Sequence, residues 1–410
     1  MDDVKWQGKI TRPASERPKD GSFETMEIDW KELRARSKTT ELPVLIDLHD
    51  LSAQLEIEPQ RLGFLHVSKN SVVKGKTIFK SNGKPRRLFY PNIYSGDEKI
   101  SSTAALLKMA HKMLLYKLLQ NLPRSDAAWG FVDGRDVLSC AAQHVDKDLV
   151  VAIDMTNFFP NTSYKKVRKA LKEYTPWSDK VVWMVAELCT FRGHTPQGFS
   201  TSPMLSNFVF KPADDKILEW AQANGWTYTR YADDLILSAN GDVLKLNEIV
   251  ETELMPLIEQ VAGELDYKIN QRKTKIMFKP NRQHVLGMTV NKKLNLPRRD
   301  FYALKAEVHN FTERGLIPLS VYKEYHGGKG REALLTYYRG LRGRVAWGTR
   351  INPERLRRVD MKLDTVDMSE YRFDGVWEYR RRRNPLQGDP SIPEQVPYEV
   401  TEGVPEQAAV

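Results

Sequence analysis

Cysteine is nearly absent from this chain of 410 residues: only Cys140 and Cys189 occur. Two isolated thiols exclude a disulfide framework and a Cys-based metal ligand set, and both are expected to be plain core residues in a reducing cytoplasm. The eight histidines show no clustered ligand spacing, so zinc is not supported. Long apolar runs and a secretory leader are missing as well, and mean hydropathy is −0.52. No membrane association is expected.

Acidic charge is in short supply. Lys plus Arg outnumber Asp plus Glu by 63 to 53, giving a formal net charge of +10. The segment from Asn384 onward carries five acids and no base, so the body before it is near +15. A basic body with 16 Tyr, 15 Phe and 9 Trp suits attraction to phosphate and stacking on bases. Ordinary solubility charge gives the same numbers, so the motifs must decide.

The most informative motif is Tyr231-Ala232-Asp233-Asp234, between the β-rich flanks Trp226 to Tyr231 and Leu235 to Leu237. That pattern predicts a hairpin whose turn carries two adjacent carboxylates. Their repulsion is tolerated either in a solvated turn or beside a divalent cation. Upstream, Val150-Val151-Ala152-Ile153-Asp154 predicts a buried strand that delivers a third carboxylate. Asp154, Asp233 and Asp234 are thus the candidate ligands of two Mg²⁺ ions roughly 3.5–4 Å apart, the arrangement that aligns the oxygens of a phosphoryl transfer.

Thr195-Pro196-Gln197-Gly198 opens a Gly-containing loop that leads into a helical segment reaching Phe210. Small residues there let a nucleotide approach the backbone. Asn270-Gln271-Arg272-Lys273-Thr274 follows an expected helix from Leu246 to Leu265, and Val285-Leu286-Gly287 interrupts a strand-like piece. Upstream, Asn82-Gly83 marks a hairpin turn within the basic stretch Lys80 to Pro91. Trp129-Gly130-Phe131-Val132-Asp133-Gly134-Arg135-Asp136 completes the set.

In this order, acid strand, PQG loop, YADD hairpin, N-x-x-K-T and LG strand resemble motifs A to E of reverse transcriptases. The basic hairpin and the G-F-x-x-G-R segment resemble those of bacterial retron and group II intron enzymes. The resemblance spans about Leu62 to Trp347 and implies an α+β right-hand polymerase: fingers, a palm whose antiparallel sheet carries YADD, and a helical thumb. Expected boundaries are an N-terminal extension at 1–60, fingers at 61–150, palm at 151–295 with a fingers insertion near 160–195, thumb and basic segment at 296–383, and a disordered acidic tail at 384–410.

The same resemblance assigns roles. Asp154 and Asp233 become the principal metal ligands with Asp234 beside them, and Lys273 the proton donor to departing pyrophosphate. Lys84 and Arg86 would hold the incoming triphosphate. Gln197 and Gly198 would line the template and nucleotide pocket, Tyr231 and Ala232 would lie under the primer end, and Phe159 would be the gate that excludes a 2′-hydroxyl.

Past the palm, Phe301, Leu304, Val308 and Phe311 recur at helical spacing from Arg298 to Arg314, and a second helix is expected from Arg331 to Val345. Lys305, Arg339, Arg342 and Arg344 are candidates for the duplex backbone, and Arg380, Arg381, Arg382 and Arg383 for structured RNA. A solvated basic face is the competing reading. Between 102 and 122, Leu106, Leu107, Met109, Ala110, Met113, Leu114 and Leu118 give a broad apolar helical face.

Cys140-Ala141-Ala142-Gln143-His144 departs from the N-A-x-x-H box of retron enzymes, and Val285-Leu286-Gly287 from their V-T-G. The resemblance therefore favours the defence-associated (DRT, unknown-group) class, with a type 2 single-gene system as the favoured subtype. Such an enzyme copies a noncoding RNA into cDNA from dNTPs during anti-phage defence, with room for a protein partner from a neighbouring gene. The alternatives are a retron enzyme making msDNA, an RNA polymerase or template-free transferase, and a noncatalytic RNA-binding scaffold.

Overall fold

A computed structural model describes residues 41–79 and 85–377, together with Leu33, Ala35, Arg36 and the backbone of Pro397 and Tyr398. The chain divides into two compact units: Met1–Cys140 with Asp148–Ile276, and Ala141–Lys147 with Met277–Val410. Both mix helices with antiparallel strands, so the chain is α+β.

The first unit is built on an antiparallel sheet. Its central strand, β3 (Leu149–Thr156), is the apolar run read from the sequence, and its first three residues are all buried. β5 (Asp234–Ala239) pairs with β3 over six residues, from Leu149 opposite Ala239 to Asp154 opposite Asp234. β4 (Thr227–Tyr231) pairs with β5 on its far side, which closes the hairpin at Tyr231 opposite Asp234. β6 (Lys268–Ile269) pairs with the end of β3. The hairpin predicted for YADD therefore forms, with Ala232 and Asp233 as its turn.

Around the sheet, the helix after the PQG loop runs on from Ser202 to Ala223, well past Phe210, because its buried positions Leu205, Phe208, Ala213, Ile217 and Ala221 keep a helical repeat. The expected helix 246–265 is Val243–Ile249 and Met255–Glu264 joined by a π-helical turn at Val250–Leu254. Glu98–Lys117 forms the helix expected at 102–122, with a 3₁₀ turn at Leu119–Asn121. Leu106, Leu107, Ala110 and Leu114 of its apolar face are buried, whereas Met109 is 43 % exposed. β1 (Val73–Phe79) and β2 (Pro85–Pro91) pair antiparallel, but the Asn82-Gly83 turn between them lies outside the described residues.

The second unit packs three long helices, Arg298–Glu313, Arg331–Ile351 and Pro353–Asp364, around one apolar cluster. Phe301, Leu304, Val308 and Phe311 enter it together with Leu341, Val345, Leu356 and Leu363, so the stripe read at helical spacing is a core face. The hairpin His284–Val285 with Met288–Thr289 belongs to this unit. Gln283 explains the division: its buried side chain donates to Lys147 O at 2.8 Å, and Val290 O accepts from Asp146 N at 3.0 Å. In the tail expected to be disordered, the backbone of Pro397 and Tyr398 pairs with Trp377 and Val376.

Candidate active site at the YADD hairpin

Three acids meet at one end of the antiparallel sheet. Asp154 and Asp234 face each other across the β3–β5 ladder, and Met155 N donates to Asp233 O at 2.9 Å, which draws the turn onto the end of β3. Their charges feel one another. Burial first, then Asp233 and Asp154, push the Asp234 carboxyl up to about 7, against the opposing pull of Lys273 and Lys275. Three oxygen-donor carboxylates gathered at one sheet end are a hard, negatively charged set that fits Mg²⁺.

Among the described residues no three acid, His or Cys side chains already surround a common point. Asp154 is engaged by neighbours instead: Lys273 Nζ donates to its Oδ1 at 2.5 Å, and Asn270 Nδ2 donates to its Oδ2 at 3.2 Å. Asn270 N also bonds Asp154 O at 2.7 Å, so the N-x-x-K-T turn is fixed to the acid strand through its first residue. Lys273 thus serves in this structure as the local cation of Asp154. Its side chain is half exposed on a four-carbon stem, free to swing where a rigid fork is not.

The basic hairpin and the PQG loop meet. Arg86 Nε donates to Gln197 Oε1 at 2.5 Å, and Phe89 N donates to Gln197 O at 2.8 Å. Gly198 sits at φ +117°, where a Cβ would come within 2.3 Å of Phe89 O. Only glycine lets the loop lie this close to β2. Lys84 lies outside the described residues, as do Arg380 to Arg383.

Phe159 is buried at 8 % exposure, edge-on to Phe158 at 5.6 Å and to Phe131 at 6.4 Å. Tyr231 is half-buried, with the Phe131 ring 6.2 Å away. Ala232 takes φ +55°, a left-handed conformation that an alanine adopts only when its surroundings impose it.

What imposes it is a network that the sequence reading missed. Arg230, wholly buried, grips the wholly buried Asp214 of helix Ser202–Ala223 through Nε (2.9 and 3.0 Å) and Nη2 (2.6 Å). Its Nη1 donates to Asn207 Oδ1 and to Ala232 O, both at 3.0 Å. Tyr228 adds a hydroxyl to Asp214 at 2.7 Å. From the other side, Asn207 Nδ2 donates to Gly130 O at 2.8 Å, and a Cβ on Gly130 would meet Ala232 N at 2.8 Å. The turn is held between a guanidinium and a glycine. Arg230 stands in a short strand between Thr229 and Tyr231, and nothing in that local pattern marks it as buried.

In the second unit, Lys305 and Arg339 are exposed. Arg342 pairs with Asp364, and Arg344 makes a two-pronged bridge to Glu307 at 2.7 and 2.6 Å. Those two guanidinia therefore also tie the helices to one another. Both cysteines are buried and free, their thiols pushed up to about 11 for Cys140 and about 12 for Cys189 by burial, which fits inert core residues. No helix among the described residues is long and apolar enough to cross a membrane.

Comparison with known proteins agrees with this geometry. Residues 99–290 match the family described as reverse transcriptase (RNA-dependent DNA polymerase). The retron Mx65 reverse transcriptase of Myxococcus xanthus is 33 % identical over 220 residues, 50 % of this chain and 50 % of that one. The retron Mx162 enzyme of the same organism is 30 % identical over 238 residues, 52 % and 49 % of the two chains. The retron Ec86 reverse transcriptase of Escherichia coli is 25 % identical over 276 residues, 67 % and 81 %. The chain thus spans about half the length of the two Myxococcus relatives. A solved telomerase from Candida albicans overlays 72 % of this chain and 58 % of its own at 11 % identity and TM-score 0.39, too slight a likeness to carry an inference. The match that spans the acid strand, the PQG loop and the YADD hairpin marks residues 99–290 as a reverse transcriptase, or RNA-dependent DNA polymerase, domain.

Proposed function

We propose that the whole chain is an RNA-directed DNA polymerase that copies an associated noncoding RNA into cDNA in bacterial anti-phage defence. The observation that carries the catalytic part is the ladder that sets Asp154 against Asp234 beside Asp233, with the Asp234 carboxyl pushed up to about 7. Asp154, Asp233 and Asp234 would hold two Mg²⁺ ions. When bound, those ions supply Lewis acidity to the attacking hydroxyl and charge neutralisation to the phosphates.

The chain's own residues do the rest. Arg86 and Lys84 bind the triphosphate of a dNTP, with Arg86 aimed by Gln197. Phe159 packs under the sugar and excludes a 2′-hydroxyl. The primer 3′-hydroxyl gives up its proton to solvent and its oxygen bonds to the α-phosphorus as the bond to pyrophosphate breaks. Lys273, released from Asp154, gives the departing pyrophosphate its proton. Tyr231 and Ala232 support the primer end on the turn that Arg230 pins. In this reading the first unit supplies fingers and palm and the second the thumb, where Lys305, Arg339, Arg342 and Arg344 meet the duplex backbone and Arg380 to Arg383 the RNA.

A second reading, a retron enzyme making msDNA, is favoured by the retron relatives and differs in the fate of the product, not in its chemistry. The test is to purify the protein with its co-transcribed RNA, supply labelled dNTPs or rNTPs, and sequence what is made. DNA complementary to the bound RNA supports the proposal. A branched RNA–DNA product supports the retron form, and a product made from rNTPs alone contradicts both.

A further inference from the structure

Phe131 combines two features that a structural residue avoids. Its backbone lies at φ +63°, and its ring is 48 % exposed. A left-handed conformation at a bulky residue is strained, and an exposed ring gains little burial in return. Its neighbours hold it there: Gly130 O is bonded by Asn207, Val132 is buried, and Val132 O accepts from Arg135 N at 3.1 Å. Strain sustained by its surroundings at the edge of a candidate active site points to use.

One side of the Phe131 ring meets Tyr231 and Phe159. Phe131 also lines a cavity of about 630 Å³ within the first unit, together with Tyr116, Gln120, Asn121 and Arg124. That volume lies in the range of small-ligand sites, about 300–1,000 Å³. Tyr116 is 55 % exposed, with the Lys112 ammonium 6.0 Å from its ring. Glu41 and Asp133 also line the cavity, so its two carboxylates outnumber its one guanidinium. Such a lining disfavours phosphate. Two exposed rings and two side-chain amides lining one cavity suit the flat face and hydrogen-bonding edge of an uncharged base.

We propose that this cavity receives an unpaired nucleobase of the template strand, stacked on Phe131, just beyond the base pair being formed. The inference rests on the polymerase reading above. It commits to the template because, of the nucleic acids at such a site, the primer ends at the catalytic acids and the dNTP is held by Arg86. The template alone continues unpaired. Phe131, touching both Tyr231 and Phe159, is then the wall between the nucleotide site and the strand yet to be copied.

The test uses the full chain and a DNA primer on an RNA template that carries 2-aminopurine at successive unpaired positions. With the native chain, stacking quenches the fluorescence at one position. Phe131→Ala abolishes that quenching and weakens binding of the overhanging template about five-fold or more, the lower end of a base–aromatic stack. Phe131→Trp keeps both. Should Phe131→Ala fail to fold, Phe131→Leu, which keeps an apolar side chain but no ring face, carries the same expectation. Unchanged quenching or unchanged affinity in a chain that still extends primers overturns the inference alone. A native chain that neither binds nor extends the primer–template overturns the polymerase reading and this inference with it.

Discussion

Cutting the Arg230–Asp214 pair separates the pinning of the YADD turn from the stability of the unit that carries it. Both side chains are wholly buried, and Arg230 makes five hydrogen bonds: three to Asp214, one to Asn207 and one to Ala232 O. Removing one member of a buried pair leaves the other charge without compensation, which costs about 3–5 kcal/mol. Against a total folding stability of about 5–15 kcal/mol, Arg230→Met or Asp214→Leu alone should bring the protein close to unfolding. The double variant Arg230→Met, Asp214→Leu removes both charges and leaves apolar side chains of similar volume between Phe158 and Phe210, whose rings lie 5.5 and 5.1 Å from the guanidinium carbon. It should recover most of the lost stability. Primer extension should not recover, because Ala232 O has still lost its donor and the left-handed turn its anchor. Urea denaturation followed by circular dichroism gives the stabilities, and single-nucleotide extension gives the activity. Single variants within about 1 kcal/mol of the native protein, or a double variant with native activity, would refute the reasoning.

Gly198→Ala forces a Cβ against Phe89 O at φ +117°, so it should destabilise by about 1–3 kcal/mol and raise the KM for dNTP by displacing Gln197 from Arg86; denaturation and steady-state kinetics check it. Burial pushes His111 down to about 4 while its Nε2 bonds Leu188 O, so the unfolded chain takes up the proton first. Its contribution is complete above pH about 6.5 and is lost as pH falls towards 4, worth about 3 kcal/mol. His111→Gln should flatten the stability profile across that window. Mg²⁺ at a hundred times its Kd should stabilise the native protein by about 2.7 kcal/mol, a rise in Tm of several degrees. Asp154→Asn should lose most of that rise in a thermal scan.

The parts of the site built from local pattern were legible in the sequence. A β-branched run ending in Asp154, two strand-like flanks around Asp233-Asp234 and a glycine after Gln197 each carry their meaning within about ten residues; the antiparallel ladder joins the first two, and the third lies against β2. Arg230 and Asp214 were illegible because each reads alone as a surface charge, and only the packing of helix Ser202–Ala223 on β4 buries them as a pair. The strain at Phe131 and Ala232 leaves no compositional mark, since neither residue is a usual occupant of left-handed backbone. Arg342 and Arg344 read as a basic face, but their partners Asp364 and Glu307 lie 22 and 37 residues away. The unit boundary after Ile276 depends on Gln283 reaching back to Lys147, a contact across 136 residues.

The central claim is that Asp154, Asp233 and Asp234 act together in nucleotide transfer. Single-turnover extension of a primed RNA template with dNTP and Mg²⁺ should fall at least a thousand-fold in each of Asp154→Asn, Asp233→Asn and Asp234→Asn, about 4 kcal/mol of barrier, while each variant still binds the primed template. Native-like extension by any one of the three would contradict the account.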